Sequence, residues 1–237
     1  MLKEAIDKIE EMSALTPFCI DGHTYIRAGD DFIEVRPQMD VPDAHVVNSL
    51  DALVQLIKND TYKYGLFVSV MTADMVDAFG QLEEDQRWRR LLLYRAKATD
   101  IPGWGAEVRL PFDQASVALM TRFQDSPDRE YALRLLAQIT TGAKVTYTDN
   151  GIASTIVMQK GAALAENMTI RPLVRLRPYR TFQEVEQPEG IFLIRIDERG
   201  ITFTEADGGM WRLTARNTIK AWLENELKDQ QNVTVML

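Results

Sequence analysis

The sequence has very little cysteine and histidine, and it lacks long uninterrupted hydrophobic runs. Cys19 is the only cysteine in 237 residues, so neither an intrachain disulfide nor a multi-cysteine metal cluster can form. His23 and His45 are the only histidines and stand on unrelated segments, which disfavours a zinc site. Strongly apolar runs such as residues 65–71 are much shorter than the roughly 20 residues that a membrane helix requires. We therefore predict no bound metal, no cofactor and no membrane span.

Familiar catalytic motifs are also missing. The sequence has no Gly-x-x-x-x-Gly-Lys-Ser/Thr phosphate loop, no Gly-x-Gly-x-x-Gly, no His-Glu-x-x-His and no Gly-x-Ser-x-Gly. These absences disfavour common nucleotide hydrolases, zinc proteases and serine hydrolases. An enzyme that uses carboxylates and a divalent ion stays open, because such sites leave weak sequence signatures. We predict a protein without catalytic residues.

Basic residues are fewer than acidic ones, 27 against 35, which gives a formal charge of −8. This balance argues against binding long nucleic acid by overall attraction to phosphate, although a local basic patch remains compatible with it. Charges throughout the first eleven residues are unlike a secretory signal. Together with the single cysteine, this pattern favours the cytoplasm.

Hydrophobic periodicity and turn residues predict an α+β protein with mixed, mostly antiparallel sheets, packed helices and a hairpin-rich C-terminal half. The predicted helices cover residues 2–15, 50–58, 113–123, a segment starting at 126–127, and 214–227. The predicted strands cover residues 18–20, 23–27, 32–35, 66–71, 75–79, 91–96, 143–148, 152–158, 173–177, 191–196, 201–204, 210–213 and 233–235. Two α+β regions, 1–110 and 111–237, are one possible organisation, and one continuous domain is the other.

The most distinctive stretch is the arginine-rich run at residues 171–180. Arg175 and Arg177 are two residues apart, so they share one face of an extended strand, and Arg171 has the same parity. Arg180 follows a Pro-Tyr pair and is predicted to turn into the same region. Guanidinium groups bind phosphate or carboxylate in a bidentate manner, so this face is a candidate anion site.

Two further features bear on the arginine run. Four nearby glutamates offer a structural alternative, since strand arginines often pair with acids in a solvated face; they are Glu184, Glu186, Glu189 and Glu205. The other feature is residues 205–213, which are predicted to form a hairpin turning at Gly208-Gly209. In this hairpin Trp211 and Arg212 point to opposite faces, and Trp211 or Tyr179 is a candidate for stacking on a base.

Residues 176–188 (LRPYRTFQEVEQP), residues 205–213 (EADGGMWRL) and the helix at 219–227 resemble an uncharacterised family of phage and prophage proteins. The resemblance spans much of the chain, and its sharpest motifs lie in the last 60 or so residues. It implies a viral or prophage origin and residence in the host cytoplasm. It implies no activity and no functional residues.

These observations predict a non-enzymatic, homo-oligomeric protein that captures an anionic nucleotide or a host defence signal. The candidate ligand-binding residues are Arg171, Arg175, Arg177, Tyr179, Arg180, Trp211 and Arg212. An accessory protein of phage DNA replication or recombination, using the same arginines on single-stranded nucleic acid, is the first alternative. A virion or assembly component is the second.

Overall fold

The structure is a computed structural model that describes residues 3–6, 8, 17–28, 31–35, 43–60, 65–83, 89–141, 144–149, 154–159 and 166–237. Its helices are α1 (Leu50–Asn59), α2 (Phe112–Arg122), α3 (Pro127–Thr141) and α4 (Trp211–Glu226). Its strands are β1 (Phe18–Ile20), β2 (His23–Ala28), β3 (Asp31–Glu34), β4 (His45–Val47), β5 (Leu66–Thr72), β6 (Met75–Glu83), β7 (Arg89–Lys97), β8 (Glu107–Leu110), β9 (Lys144–Asp149), β10 (Ser154–Gln159), β11 (Glu166–Thr169), β12 (Leu173–Leu176), β13 (Gly190–Asp197), β14 (Gly200–Glu205) and β15 (Val233–Met236). The predicted α+β class is confirmed.

The chain divides into two compact units, Met1–Pro42 and Asp43–Leu237. The first unit contains the strands predicted over 18–20, 23–27 and 32–35, and β1, β2 and β3 form an antiparallel sheet. Asp21 and Gly22 have positive φ at the turn between β1 and β2, a conformation that glycine and aspartate tolerate. Residues 3–6 and 8 are helical, and the rest of the helix predicted over 2–15 lies outside the described residues.

In the second unit, a five-stranded sheet has the order β15-β5-β6-β7-β4. Helices α1 and α4 pack on it, and Leu53 and Ile57 of α1 share its buried core with Ile219 and Leu223 of α4. The side chain of Ser49 caps α1 by accepting a hydrogen bond from Ala52 N–H at 3.2 Å, as its sequence position predicts. The predicted edge strand near the C-terminus is confirmed as β15, which runs parallel to β5.

A second sheet of this unit is antiparallel and has the order β12-β13-β14-β8. Helices α2 and α3 cover one of its faces, where Leu119 and Leu136 share a buried core with Phe192 and Phe203. A third sheet joins β9, β10 and β11. The strands predicted over 143–148 and 152–158 correspond to β9 and β10, which pair in antiparallel register; the Asn-Gly turn between them lies outside the described residues.

The strand predicted over residues 210–213 is wrong, because α4 begins at Trp211. Gly208 and Gly209 do adopt positive φ as predicted, but they lead the chain from β14 into a helix rather than into a returning strand. Thr214, where the predicted helix begins, is consequently inside α4, where its hydroxyl donates to Met210 O at 3.4 Å. The structure also contains β4, β8 and β11, which periodicity did not predict.

Both regions separated at residue 110 in the sequence-based division contribute to shared sheets. Strand β15 lies beside β5, and β8 lies beside β14. The division at residue 110 stays a prediction. No helix within the described part of the chain is long and apolar enough to cross a membrane.

Candidate functional site

The arginine run begins on the exposed face of β12. Burial alternates along this strand, with Val174 and Leu176 buried and Arg175 exposed between them. Arg171 is also exposed, and Arg177 is half-buried. The side chains of successive strand residues point to opposite faces, so Arg175 lies on the side of β12 away from the core, while Arg171 and Arg177 flank the strand.

Arg171 is fixed by helix α3. Its Nη2 donates to Asp128 Oδ1 at 2.7 Å, and its backbone N–H donates to the hydroxyl of Tyr131 at 2.9 Å. Its guanidinium carbon lies 4.6 Å from the centroid of the Tyr131 ring, within cation–π distance. The side chain is nevertheless 51% exposed. Arg171 is thus held in one place while about half of its side-chain surface faces solvent.

A shallow cleft of about 470 Å³ opens beside Arg171. It is lined by Pro127, Asp128, Tyr131, Arg134 and Arg171, and we call it the arginine cleft. Arg134 is exposed and, among the described residues, has no ion-pair partner. The cleft therefore combines two guanidinium groups, one anchored by an acid and one without an acidic partner in the described part of the chain.

Asp128 is the acid that the arginine cleft contains. Its Oδ1 accepts from Arg171, and its Oδ2 accepts from the backbone N–H of Arg175 at 2.6 Å. Both carboxylate oxygens are therefore engaged by donors on the β12 segment. Because a guanidinium carries five N–H donors, the bond to Asp128 leaves Arg171 further donors for a ligand.

Arg175 and Arg177 follow the structural alternative that the sequence left open. Arg175 Nη1 lies 3.2 Å from Glu189 Oε1, and Arg177 Nη1 lies 2.6 Å from Glu186 Oε1. Arg177 Nε also lies 3.6 Å from Glu189 Oε2. Exposed pairs of this kind contribute little to stability, typically about 0.2–1 kcal/mol. The local positive charge of these two arginines is balanced by the two glutamates.

Arg180 is in a different environment, because it is only 4% exposed. Its Nη1 donates to Glu205 Oε1 at 2.6 Å, and its guanidinium carbon lies 3.7 Å from the centroid of the Trp211 ring. Burial lowers the pKa of Arg180 to about 10, although the negative charges of Glu205 and Asp207 act to raise it. Arg180 stays charged at neutral pH, and we call Arg180, Glu205 and Trp211 the buried arginine cluster.

The buried arginine cluster does not share the face of Arg175 and Arg177. Gly190 lies opposite Leu176 in the β12–β13 register, and Leu176 points into the core. A Cβ built on Gly190 would lie 2.5 Å from Arg180 Nη2. The Arg180 side chain therefore approaches the sheet from its core side, so the predicted set of arginines is divided between two faces.

The predicted aromatic stacking residues are placed as follows. Trp211 is buried, and the guanidinium groups of Arg180 and Arg212 lie over its ring, Arg212 at 4.6 Å from the centroid. Tyr179 is half-buried, and its backbone N–H donates to Arg122 O at 2.9 Å. The ring near the exposed arginine face is instead Tyr131.

Other sequence candidates do not line the arginine cleft. His23 Nδ1 contacts Glu34 Oε1 at 2.8 Å in the first unit. Cys19 is exposed in β1, although its apolar neighbours predict burial, because β1 belongs to a small sheet whose strands are largely exposed. Glu184 accepts from Leu50 N–H at 2.7 Å at the start of α1. No cluster of three metal-ligating side chains occurs within the described ranges.

Sequence reasoning missed Asp128, Tyr131 and Arg134 as site residues. It did place Asp128 at the beginning of a helix, where an acid interacts favourably with the helix dipole. Its contact with Arg171, 43 residues later, depends on how α3 packs along β12. An aspartate preceding a Tyr-x-x-Arg pattern is the only local signal of the cleft.

Comparison with known proteins adds no further assignment. No protein-family model, no curated protein and no solved structure matches this chain.

Proposed function

We propose that this protein binds a small anionic ligand of the nucleotide class in the arginine cleft, without converting it. The observation that carries the proposal is the convergence of Arg171 and Arg134 on one cleft beside the Tyr131 ring. Guanidinium groups recognise phosphate and carboxylate through paired N–H donors. Two of them on one surface supply the charge that a phosphate group requires.

The fixed position of Arg171 supports this proposal. Asp128 and Tyr131 hold its side chain before any ligand arrives, so binding costs less side-chain entropy than it would for a free arginine. Asp128 has both oxygens engaged by donors, which makes it a positioning residue rather than a general base. A cleft of about 470 Å³ is within the range of small-molecule sites.

Overall charge favours a small anion over a long one. The chain carries a formal charge of −8, and the neighbouring Arg175 and Arg177 are balanced by glutamates. A polyanion would meet this acidic surface beyond the cleft, whereas a mononucleotide or cyclic nucleotide would not. The resemblance to phage and prophage proteins makes nucleotide signals of a host cell the first ligands to test.

The test combines native mass spectrometry of the purified protein with thermal unfolding in a panel of nucleoside phosphates and cyclic nucleotides. A ligand at a hundred times its Kd stabilises by roughly 2.7 kcal/mol, which for a chain of this size is a rise in Tm of roughly 5–10 °C. We expect such a rise for at least one nucleotide. We expect it to disappear in Arg171→Ala and to weaken in Arg134→Ala.

The matched control is Arg199→Ala, which removes an exposed positive charge outside the arginine cleft. It is expected to keep the full ligand-induced rise in Tm. If Arg199→Ala and Arg171→Ala lose the ligand-induced rise in Tm equally, the rise depends on the overall charge of the protein and not on the arginine cleft. A salt-dependent shift with oligonucleotides alone would favour single-stranded nucleic acid, and magnesium-dependent turnover would favour an enzyme; either result contradicts the proposal.

A further inference from the structure

Strand β8 (Glu107–Leu110) forms one edge of the four-stranded sheet. Glu205 N–H donates to Ala106 O at 2.7 Å, which makes these two opposite residues a hydrogen-bonded pair. Hydrogen-bonded pairs recur at every second residue of an antiparallel ladder. The backbone groups of Val108 and Leu110 therefore face β14.

The same alternation directs the backbone N–H and C=O groups of Glu107 and Arg109 away from the sheet. Within the part of the chain that the structure describes, no hydrogen bond reaches these outward groups. A row of unpaired strand groups is a template for pairing with another strand.

The opposite edge of this sheet, at β12, is covered by the chain itself. Asp128 Oδ2 accepts the outward N–H of Arg175 at 2.6 Å. Just beyond the strand, Gln124 N–H donates to Arg177 O at 2.9 Å. One edge is thus closed by the α2–α3 connection and α3, and the other is left unpaired by the residues of the second unit that the structure describes.

Two copies of β8 match each other in charge when they pair in antiparallel direction. Antiparallel pairing of two copies about Val108 places Glu107 of each copy opposite Arg109 of the other. These are the residues whose backbone groups face outward, so each Glu107–Arg109 pair would also exchange two backbone hydrogen bonds. Opposite charges directly across an antiparallel pair are favourable, and like charges are not.

Apolar surface lies beside this open edge. Leu110 of β8 and Val117 of α2 line the same cleft of about 320 Å³, and Val117 is 56% exposed. Helix α2 is the element that directly follows β8 in the chain. A copy whose β8 pairs with this strand would bring its own α2 to the same side of the joined sheet.

We propose that β8 is a dimerisation edge, which pairs antiparallel with β8 of a second copy about Val108. The interface is isologous, with the two-fold axis at Val108. It joins the two four-stranded sheets across their open edges and apposes the two α2 helices. This inference is independent of the ligand assigned to the arginine cleft.

The decisive measurement is sedimentation velocity of the full chain over a series of micromolar concentrations. Wild-type protein is expected to sediment as a dimer that dissociates on dilution. Arg109→Pro removes one backbone donor, an outward N–H, together with the exposed Arg109 side chain, so the ladder with β14 is retained while edge pairing is blocked. It is expected to be monomeric throughout, with a circular dichroism spectrum like that of the wild type.

Arg109→Ala is the control for Arg109→Pro, because it also loses the ion pair with Asp197 but keeps the backbone N–H. It should retain a measurable dimer. A monomeric wild type, or a dimer with the wild-type dissociation constant in Arg109→Pro, would overturn the proposal.

Charge exchange tests the register without relying on proline. Glu107→Arg places like charges opposite each other twice and is expected to weaken the dimer about tenfold or more. The double exchange Glu107→Arg with Arg109→Glu restores opposite charges and should recover most of the affinity. If the double variant loses as much dimer affinity as the two single changes together, the proposed register is excluded.

Discussion

The arginine-rich run contains two kinds of arginine that are close in sequence and opposite in environment. Arg175 is 68% exposed and contacts a half-exposed glutamate, whereas Arg180 is enclosed by Glu205 and the Trp211 ring. Water competes with the first pair and is excluded from the second. An exposed arginine of this sheet can therefore be replaced with little loss of stability, whereas replacement of the buried arginine is costly.

The largest effect is expected from breaking the buried arginine cluster. Arg180→Ala leaves Glu205 nearly buried without its partner, and removing one member of a buried pair costs about 3–5 kcal/mol. Urea unfolding followed by circular dichroism measures this loss. Replacing both residues by leucine should cost less than the single change, since no charge is then left unpaired. A single-variant loss below about 1 kcal/mol would show that solvent reaches Glu205.

The second-largest loss of stability is expected from adding a side chain at Gly190, beside the buried arginine cluster. A Cβ at Gly190 would lie 2.5 Å from Arg180 Nη2 and 3.2 Å from Phe192 Cε2. Since the Arg180 guanidinium is bonded to Glu205 and packed on Trp211, it has little freedom to move away. Gly190→Ala is expected to destabilise the protein by about 1–3 kcal/mol in the same unfolding measurement.

Gly80→Ala is the matched control for Gly190→Ala. Gly80 also lies in a strand, but its added Cβ would meet neighbours at 3.8 Å and 3.9 Å, which is ordinary contact. Its effect should be clearly smaller. If both substitutions lower the free energy of unfolding equally, the loss results from replacing a strand glycine in general and not from the position of Arg180.

Much of the fold could be predicted from sequence, because the signals that define it are local. The alternation of Val174 and Leu176 with Arg175 and Arg177 marks β12, and Ser49 before an apolar helix face marks α1. Strand β8 was missed because Glu-Val-Arg-Leu is short and half charged. Its pairing with β14, nearly a hundred residues later, is what makes it a strand.

The candidate site was less predictable than the fold. The shared parity of Arg175 and Arg177 follows from strand geometry alone, but the burial of Arg180 depends on Glu205, 25 residues away. The start of α4 was misassigned because Gly208-Gly209 followed by Met-Trp resembles a hairpin turn. The helix that follows them brings the Trp211 ring over Arg180, a contact that no local pattern encodes.

A smaller loss of stability is expected for the two exposed arginines of the run. Replacing both Arg175 and Arg177 with alanine should lower the free energy of unfolding by less than about 1 kcal/mol, since exposed pairs contribute little. The double variant should also keep the ligand-induced rise in Tm that Arg171→Ala loses. If it abolishes that rise, the ligand extends from the arginine cleft along β12.

The smallest effect is a pH dependence at another exposed pair, Arg109 and Asp197. Burial acts to raise the pKa of Asp197, but the hydrogen bond from Arg199 N–H and the bond and charge of Arg109 outweigh it and hold this pKa below its usual value. An acid whose pKa is lower in the folded state stabilises the protein above its unfolded pKa of about 3.9 and loses that contribution as pH falls through the folded pKa.

Asp197→Asn should therefore melt slightly below the wild type at pH near 7. The two Tm values should converge in acid, because protonation gives the wild type the same neutral group. A Tm difference that stays constant down to low pH would assign the effect to the turn geometry at Asp197, whose Oδ1 accepts from Arg199 N–H, and not to its charge.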